Sequence, residues 1–449
     1  MTRIIVATGM PPDLLARNRP TADCCLHWTG EGYNALVNLS ELQAAISAEP
    51  PPLLYDLLSI AIAVYLSDIA VPRGRNEAWP RDLALMVPVR EPAFWNHNRQ
   101  QLSAILHALT KDNFRIDFCA HQHQDSGLLM PAAQAGPEAD CVSALSGGLD
   151  SLAGAAMLLR ADRQPLFVTH CSGNPEIRKA QAAVTETLQQ FRRGASSFAN
   201  LLIQPRSGPD SEFAFPAPRD REASRRSRSL LFMTLLVAAA YGAQVREAYL
   251  CENGILTVAL PLSAGRIGSL STRSTHPAVL HEFNALLQAA DLSVTILNPF
   301  VHQTKAELIR DILRPVLRPE QIQGSISCWM AGRHHRQCGG CLPCLLRRVS
   351  MLTAGMPDEA YEIDVLAEPA AYRGTEAYGN LIDLLTQAVE VRQHSDAELL
   401  MKWPQLLDLP ATGVAVADVL AAYRRYADEV WQVMHEHFPA AAELMESVT

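Results

Sequence analysis

The chain has 449 residues, more than one ordinary core accommodates, and at about 100–200 residues per domain it calls for two to four domains. Apolar residues make up 48% and charged residues 19%, the balance of a folded globular protein and not of a disordered one. The formal net charge of −9 gives no global reason to expect a nucleic-acid partner, and ten cysteines in this length do not make a disulfide scaffold.

The opening MTRIIVATGMPPD carries an apolar run too short for a secretory signal, so a cytoplasmic location is expected. Strands are predicted at Ile4–Ala7, Ala35–Leu39, Leu83–Val87 and Phe114–Phe118. The most apolar stretch, Leu53–Val71, is broken by Asp56 and Asp68 and lies between prolines. That predicts a buried helix, since a bilayer span needs about 20 apolar residues, and no membrane partner is expected. Cys24, Cys25, His121 and His123 lack partners at metal spacing and read as structural. The polar run HQHQDSGLLMPAAQAGPEAD reads as a linker, which sets off residues 1–138 as an α+β extension expected to bind a partner.

Residues 139–367 alternate. Strands at Val142–Leu145, Leu166–His170, Asn200–Ile203, Glu247–Leu250 and Ser293–Leu297 are interleaved with helical runs at Leu152–Leu159, Ile177–Phe191 and Ser229–Tyr241. Such alternation predicts an α/β fold whose parallel sheet is covered on both faces, with ligands beyond the carboxyl ends of its strands. Residues 368–449 are helical by periodicity, with Leu381, Leu384 and Leu385, then Val419, Leu420 and Tyr423, at one-turn spacing.

The first strand of the alternating region ends in Ser146-Gly147-Gly148-Leu149-Asp150-Ser151 and enters a helix. A strand–turn–helix of this kind aims backbone N–H groups and the positive end of the helix dipole at one spot, which suits a phosphate. The glycine spacing and lysine of a Walker loop are missing. Later, Cys328, Cys338, Cys341 and Cys344 read C-x9-C-x2-C-x2-C, with Gly339, Gly340 and Pro343 at the turn. Four thiolates at this spacing make a closed structural zinc site, and an iron–sulfur cluster is the competing reading. His334 and His335, inside the long gap, are not needed as ligands.

SGGLDS resembles the pyrophosphate loop of the N-type ATP pyrophosphatases. Together with the cysteines, followed by Arg347 and Arg348, it resembles the QueC family of 7-cyano-7-deazaguanine synthases. Thr304-Lys305-Ala306-Glu307 and Arg225 to Phe232 are similar to smaller pieces of that family, with Ser229 where the family has asparagine. The resemblance implies a PP-loop, HUP-type core with a zinc-binding module, and ATP, Mg²⁺ and Zn²⁺ as cofactors. It implies that Ser146, Gly147, Gly148, Asp150 and Ser151 cradle pyrophosphate, that Asp150 helps hold Mg²⁺, and that backbone at Phe167 and Val168 reads adenine. Lys305, Arg225 and Arg228 would meet phosphate charge. Glu252 and Asn253 would read the guanine-like edge of a deazaguanine substrate, with Arg266, Arg273 and His276 nearby and His276 a candidate base.

Departures are equally informative. Plain members are about half this length and lack the first 138 residues. The family's YGQRH segment is replaced by Thr169-His170-Cys171-Ser172-Gly173-Asn174, and its Gly/Asp/Pro-rich substrate segment by Cys251-Glu252-Asn253-Gly254. The run PLSAGRIGSLSTRSTHPAVLHEFNALL is similar to extended QueC-like proteins of bacterial antiphage islands, the QatC type of the Qat system and the QueC-like component of type IV CBASS. This branch implies adenylation of 7-carboxy-7-deazaguanine and transfer to an amine, a partner protein's amino group among the acceptors, with partners from the same defence operon. The alternatives are 7-cyano-7-deazaguanine synthesis for nucleic-acid modification and a non-catalytic nucleotide-sensing subunit.

Overall fold

Two sheets organise the protein. The computed structural model describes the chain apart from residues 44–45, 47–48, 75–79, 123–128, 130–137, 172, 192–196, 208–210, 262–272, 332–336 and 448–449. The strands are β1 (Thr2–Val6), β2 (Cys24–Leu26), β3 (Ala35–Asn38), β4 (Asp82–Val89), β5 (Asn113–Ala120), β6 (Cys141–Ala144), β7 (Pro165–His170), β8 (Ser197–Pro205), β9 (Glu247–Tyr249) and β10 (Thr295–Leu297). The smaller sheet runs β2-β1-β4-β5, parallel throughout. The larger runs β10-β9-β6-β7-β8-β3 and is parallel except at its last pair. Every strand expected from the sequence is present. β2 was not expected, because three residues are too few to show alternation.

β6 and β7 are buried along their whole length, as central strands of a sheet covered on both faces must be. Among the covering helices are Leu149–Arg160 and Arg228–Gly242. β3 comes from the N-terminal region yet pairs antiparallel with β8, Ala35 opposite Pro205 and Asn38 opposite Leu202. One apolar core runs from Leu58 and Ile62 to Val142, Val168 and Leu235. The two regions on either side of the linker are therefore packed as one body, with the helix Pro52–Ala70 against Arg228–Gly242.

That helix is long and apolar enough to cross a bilayer, but nearly all of it is buried among other elements. Its two carboxylates stay inside because each is satisfied. Asp56 accepts hydrogen bonds from the N–H groups of Arg90 (2.7 Å) and Glu91 (2.9 Å) and from Trp95 Nε1 (3.0 Å). Asp68 joins Asp112, Arg73 and Arg81 in a buried, charge-balanced cluster. Arg73 makes a two-pronged bond to Asp112 at 2.6 Å per prong, and Arg81 reaches Asp112 at 2.7 Å and also pairs with Asp68. Removing one partner of a buried ion pair strands the other, at about 3–5 kcal/mol. Asp112→Ala is expected to lower unfolding free energy by that amount in urea titrations; a loss below about 1 kcal/mol would contradict the cluster's role.

The C-terminal helices Glu376–Gln393, Val416–His437 and Pro439–Ser447 form a second core with Leu345 and Val349 of the helix Leu342–Thr353. Tyr423 ties this core to the large sheet's loops: its hydroxyl donates to Ile255 O and accepts from Leu260 N–H, both at 3.0 Å.

Candidate active site and metal centre

The loop after β6 is braced by its own serines. Ser151 Oγ donates to Gly148 O (2.9 Å), accepts from Ser146 N–H (3.2 Å) and lies 3.0 Å from Ser146 Oγ. Gly147 has φ +81°, and a Cβ there would stand 2.9 Å from the Gln181 backbone nitrogen, so only glycine fits. Gly148 precedes the first turn of the helix Leu149–Arg160, which carries Asp150.

Around Asp150 the structure brings together residues far apart in sequence. Lys305 Nζ donates to Asp150 Oδ2 at 2.6 Å, and Asn253 Nδ2 reaches the same oxygen at 3.3 Å. Asp150 Oδ1 is buried and has no partner. Lys305 is only 5% exposed and opens a short helix capped by Thr304, whose hydroxyl accepts from Glu307 N–H. Thr304 Oγ1 in turn donates to Glu429 of the C-terminal helix at 2.5 Å. Glu252 closes the group, accepting from Thr275 Oγ1 at 2.6 Å. Burial pushes the Glu252 carboxyl up to about 7, the Asp150 charge adds to the rise, and Lys305 opposes it.

Glu252 thus keeps its proton in the folded chain up to about pH 7, whereas unfolded it ionises near 4.5. The folded state binds more protons in that window, so this group's contribution to stability falls as pH rises from about 4.5 to 7 and then levels off. The melting temperature of Glu252→Gln is expected to gain on the wild type between pH 5 and 7; a gap that stays constant with pH would overturn the assignment.

A second group faces the other side of the loop. Ser146, Gly148, His170, Gln181, Arg225, Arg228, Phe232 and Trp329 line a cavity of about 180 Å³ that Cys328 also borders. Arg225 and Arg228 therefore border the same cavity as the loop residues Ser146 and Gly148. Phe167 and Val168 do not reach this cavity. Both are 0% exposed within β7, Phe167 packs on Phe198, and Val168 O is taken by Leu145 N–H. The strand presents His170 to the cavity in their place.

Arg266 lies outside the described residues, as do His123, His334 and His335. His276 caps the helix Pro277–Ala289 through Nδ1, which accepts from Ala278 N–H at 3.3 Å. Burial, then the charges of Arg273 and Lys111, hold its pKa down at about 4, too low for an effective base near neutrality. Arg273 stands beside it with Nε buried and unpartnered. Sequence reading missed Trp329, His170 and Gln181. The first was visible as a tryptophan adjoining Cys328, whereas the others carry no local signal.

The four cysteines converge. Their sulfurs lie within 4.8 Å of one another, all four residues buried, with Cys338–Cys344 at 3.8 Å and Cys341–Cys328 at 3.9 Å. A tetrahedron with Zn–S bonds of about 2.3 Å has S···S edges of about 3.8 Å, so the donor set fits zinc. Gly339, at φ +82°, makes the turn, and a Cβ there would sit 2.0 Å from Ile363 O. The two arginines that follow are structural ties. Arg347 is fully buried and bonds Glu359 (2.7 and 2.9 Å) and Ser325 (3.0 Å), while Arg348 bridges Asp358 and Asp364, each at 2.6 Å.

Comparison with known proteins agrees with this geometry. Residues 274–355, which hold Lys305 and all four cysteines, match the family model "Queuosine biosynthesis protein QueC". Over this stretch the chain is QueC-like. A 7-cyano-7-deazaguanine synthase of Nitrosococcus oceani is 24% identical over 229 residues, 48% of this chain and 94% of that protein. The QueC-like stretch places the metal centre directly beside the loop, because Ile326 N–H donates to Gly147 O at 3.0 Å and Cys328 follows two residues later.

Proposed function

We propose that this chain is an ATP-using enzyme of the N-type pyrophosphatase kind that adenylates 7-carboxy-7-deazaguanine or a similar deazapurine acid and passes the acyl group to an amine. The observation that carries it is the Asp150–Lys305 pair at the start of the loop helix, with Asp150 Oδ1 buried and unpartnered.

A carboxylate resists attack because oxide is a poor leaving group; joined to AMP it becomes an anhydride that an amine opens. The carboxylate oxygen attacks the α phosphorus, the α–β bridge breaks, and pyrophosphate leaves with the bridging electron pair. The Ser146–Ser151 loop would receive the departing pyrophosphate with its N–H groups and helix dipole. Arg225 and Arg228 would meet charge from one side and Lys305 from the other. A Mg²⁺ ion, held by Asp150 through its free oxygen, would neutralise phosphate charge when bound. Glu252, with its proton retained near neutrality, has a hydrogen-bond donor for a purine-like edge, and Asn253 lies beside it. Zinc at Cys328, Cys338, Cys341 and Cys344 has no open position and would serve structure.

The resemblance of the run from Pro261 to antiphage proteins favours a defence role, with ammonia or a partner protein's amino group as acceptor. The similarity to the Nitrosococcus synthase supports the second reading, in which the amide is dehydrated to the free nitrile. The test incubates the chain with ATP, Mg²⁺ and 7-carboxy-7-deazaguanine, alone, with ammonium, and with its neighbour-gene proteins. AMP and pyrophosphate should appear only when the acid is present. A mass increase on a partner selects conjugation, and free nitrile selects the synthase reading. No acid-dependent AMP would sink the proposal.

A further inference from the structure

Tyr65 and Asp68 stand one turn apart on the buried helix Pro52–Ala70, Tyr65 against a residue that lines the cavity beside the loop and Asp68 against the segment that carries its arginines. The Tyr65 ring meets His170 edge-on at 5.7 Å, and His170 meets Phe232 in the same way at 5.9 Å; His170 and Phe232 line the cavity. The Tyr65 hydroxyl lies beside the Arg225 and Arg228 guanidiniums. Asp68 Oδ2 accepts from both the N–H and the Oγ of Ser227 at 2.8 Å each. Ser227 immediately precedes Arg228, the first residue of its helix.

The other end of the arginine segment is tied to the same region. Glu222 N–H donates to Ile69 O at 2.9 Å, and Arg73 N–H donates to Glu222 Oε2 at 2.7 Å. Between these ties Arg225 has φ +47°, a left-handed conformation that a side-chain-bearing residue keeps only where its surroundings impose it. Among the described residues neither Arg225 nor Arg228 has a carboxylate partner, so two adjacent cations face the cavity without a counter-charge. The N-terminal region supplies every one of the tying groups named here, and the segment's own sequence, rich in Ser and Arg, has a single apolar residue, the exposed Ala223, and so no apolar face with which to dock itself.

We infer that the N-terminal region is a positioning element of the phosphate site: Tyr65 and Asp68 hold Glu222–Arg228 so that Arg225 and Arg228 are aimed at the loop Ser146–Ser151. The inference rests on the nucleotide role proposed for that loop. It gives the first third of the chain a task inside the reaction, whatever else its outer surface binds.

The test is a set of conservative variants of the full chain, read by acid-dependent pyrophosphate release, ATP binding and urea unfolding. Tyr65→Phe keeps the ring against His170 and removes the hydroxyl; Ser227→Ala removes one of two bonds to Asp68 and leaves the buried ion cluster whole. Each is expected to raise KM for ATP about three- to tenfold, the scale of one hydrogen bond, with a smaller change in kcat. The urea midpoint of Tyr65→Phe should stay near wild type. In an Arg225→Ala background Tyr65→Phe should lose most of its effect, because the guanidinium its hydroxyl bonds is gone and only Arg228 remains beside it. Unchanged KM in both variants, or a Tyr65→Phe effect that persists in full without Arg225, overturns the inference while wild-type turnover leaves the nucleotide reading standing. A wild-type chain that binds no ATP overturns both.

Discussion

Asp150→Asn is expected to cut acid-dependent pyrophosphate release by at least about 10²–10³-fold, the scale seen when one preorganised electrostatic contact to a developing charge is lost. The substitution keeps volume and leaves an oxygen for Lys305, so the fold should survive. What changes is charge. In the wild type a buried lysine and a buried carboxylate balance each other at 2.6 Å, and Asp150 Oδ1 remains for a cation. In the variant Lys305 loses its counter-charge, and the neutral amide is a poor ligand for Mg²⁺, which favours carboxylate oxygens. Raising Mg²⁺ should restore little. Turnover within tenfold of wild type would remove Asp150 from the proposed role, while normal unfolding in urea would show that the loss is chemical.

The second large effect is expected at the metal centre. Cys344 is 0% exposed and starts the helix that carries Arg347 and Arg348, so its thiolate ties the cluster to the helix core. Structural zinc contributes about 10–16 kcal/mol in small zinc-binding peptides. A domain this large spreads the loss over many contacts, but Cys344→Ser should release the bound zinc. Atomic emission is expected to find one zinc per wild-type chain, and the variant should also broaden or split thermal unfolding. Because Ile326 N–H holds Gly147 O while Cys328 is a ligand, metal loss should reach the loop as well and weaken ATP binding. Serine variants that retain one zinc and one sharp transition would contradict the closed site.

The strands, the buried helix and the metal cluster were readable in the sequence because each has a local cause. Periodicity reports burial, and cysteine spacing reports a turn that brings thiolates together. That Asp150 and Lys305 belong to one site was suggested only through resemblance, and their direct contact was not read at all, since 155 positions separate the pair. In β7 the apolar run signals a sheet interior, and it is the residue at its end, His170, that lines the cavity. His276 looked like a base by composition, whereas a histidine before Pro277 is also a helix cap, and burial beside Arg273 and Lys111 favours the neutral ring. The run expected to be a linker, residues 121–140, lies mostly outside the described residues, and its polar, turn-rich composition says nothing about whether the flanking regions share a core. They do so through Asp68, Tyr65 and β3, whose partners lie more than a hundred positions away and leave no mark in the local sequence.

The pairing of β3 with β8 has a consequence for how the chain is made. Ala35 and Pro205 are partners, so β3 leaves the ribosome some 170 residues before its neighbour exists. At about 5–20 residues per second that is a wait of roughly 10–30 s. During that time β3 is an unpaired strand, and the apolar helix that follows has no large sheet to cover. A helix that passes for a membrane span by composition is then exposed on a nascent chain, which makes this stretch the natural point of capture for a chaperone. Synonymous changes that slow translation between residues 70 and 200 should lower the soluble yield without altering a single side chain of the finished protein.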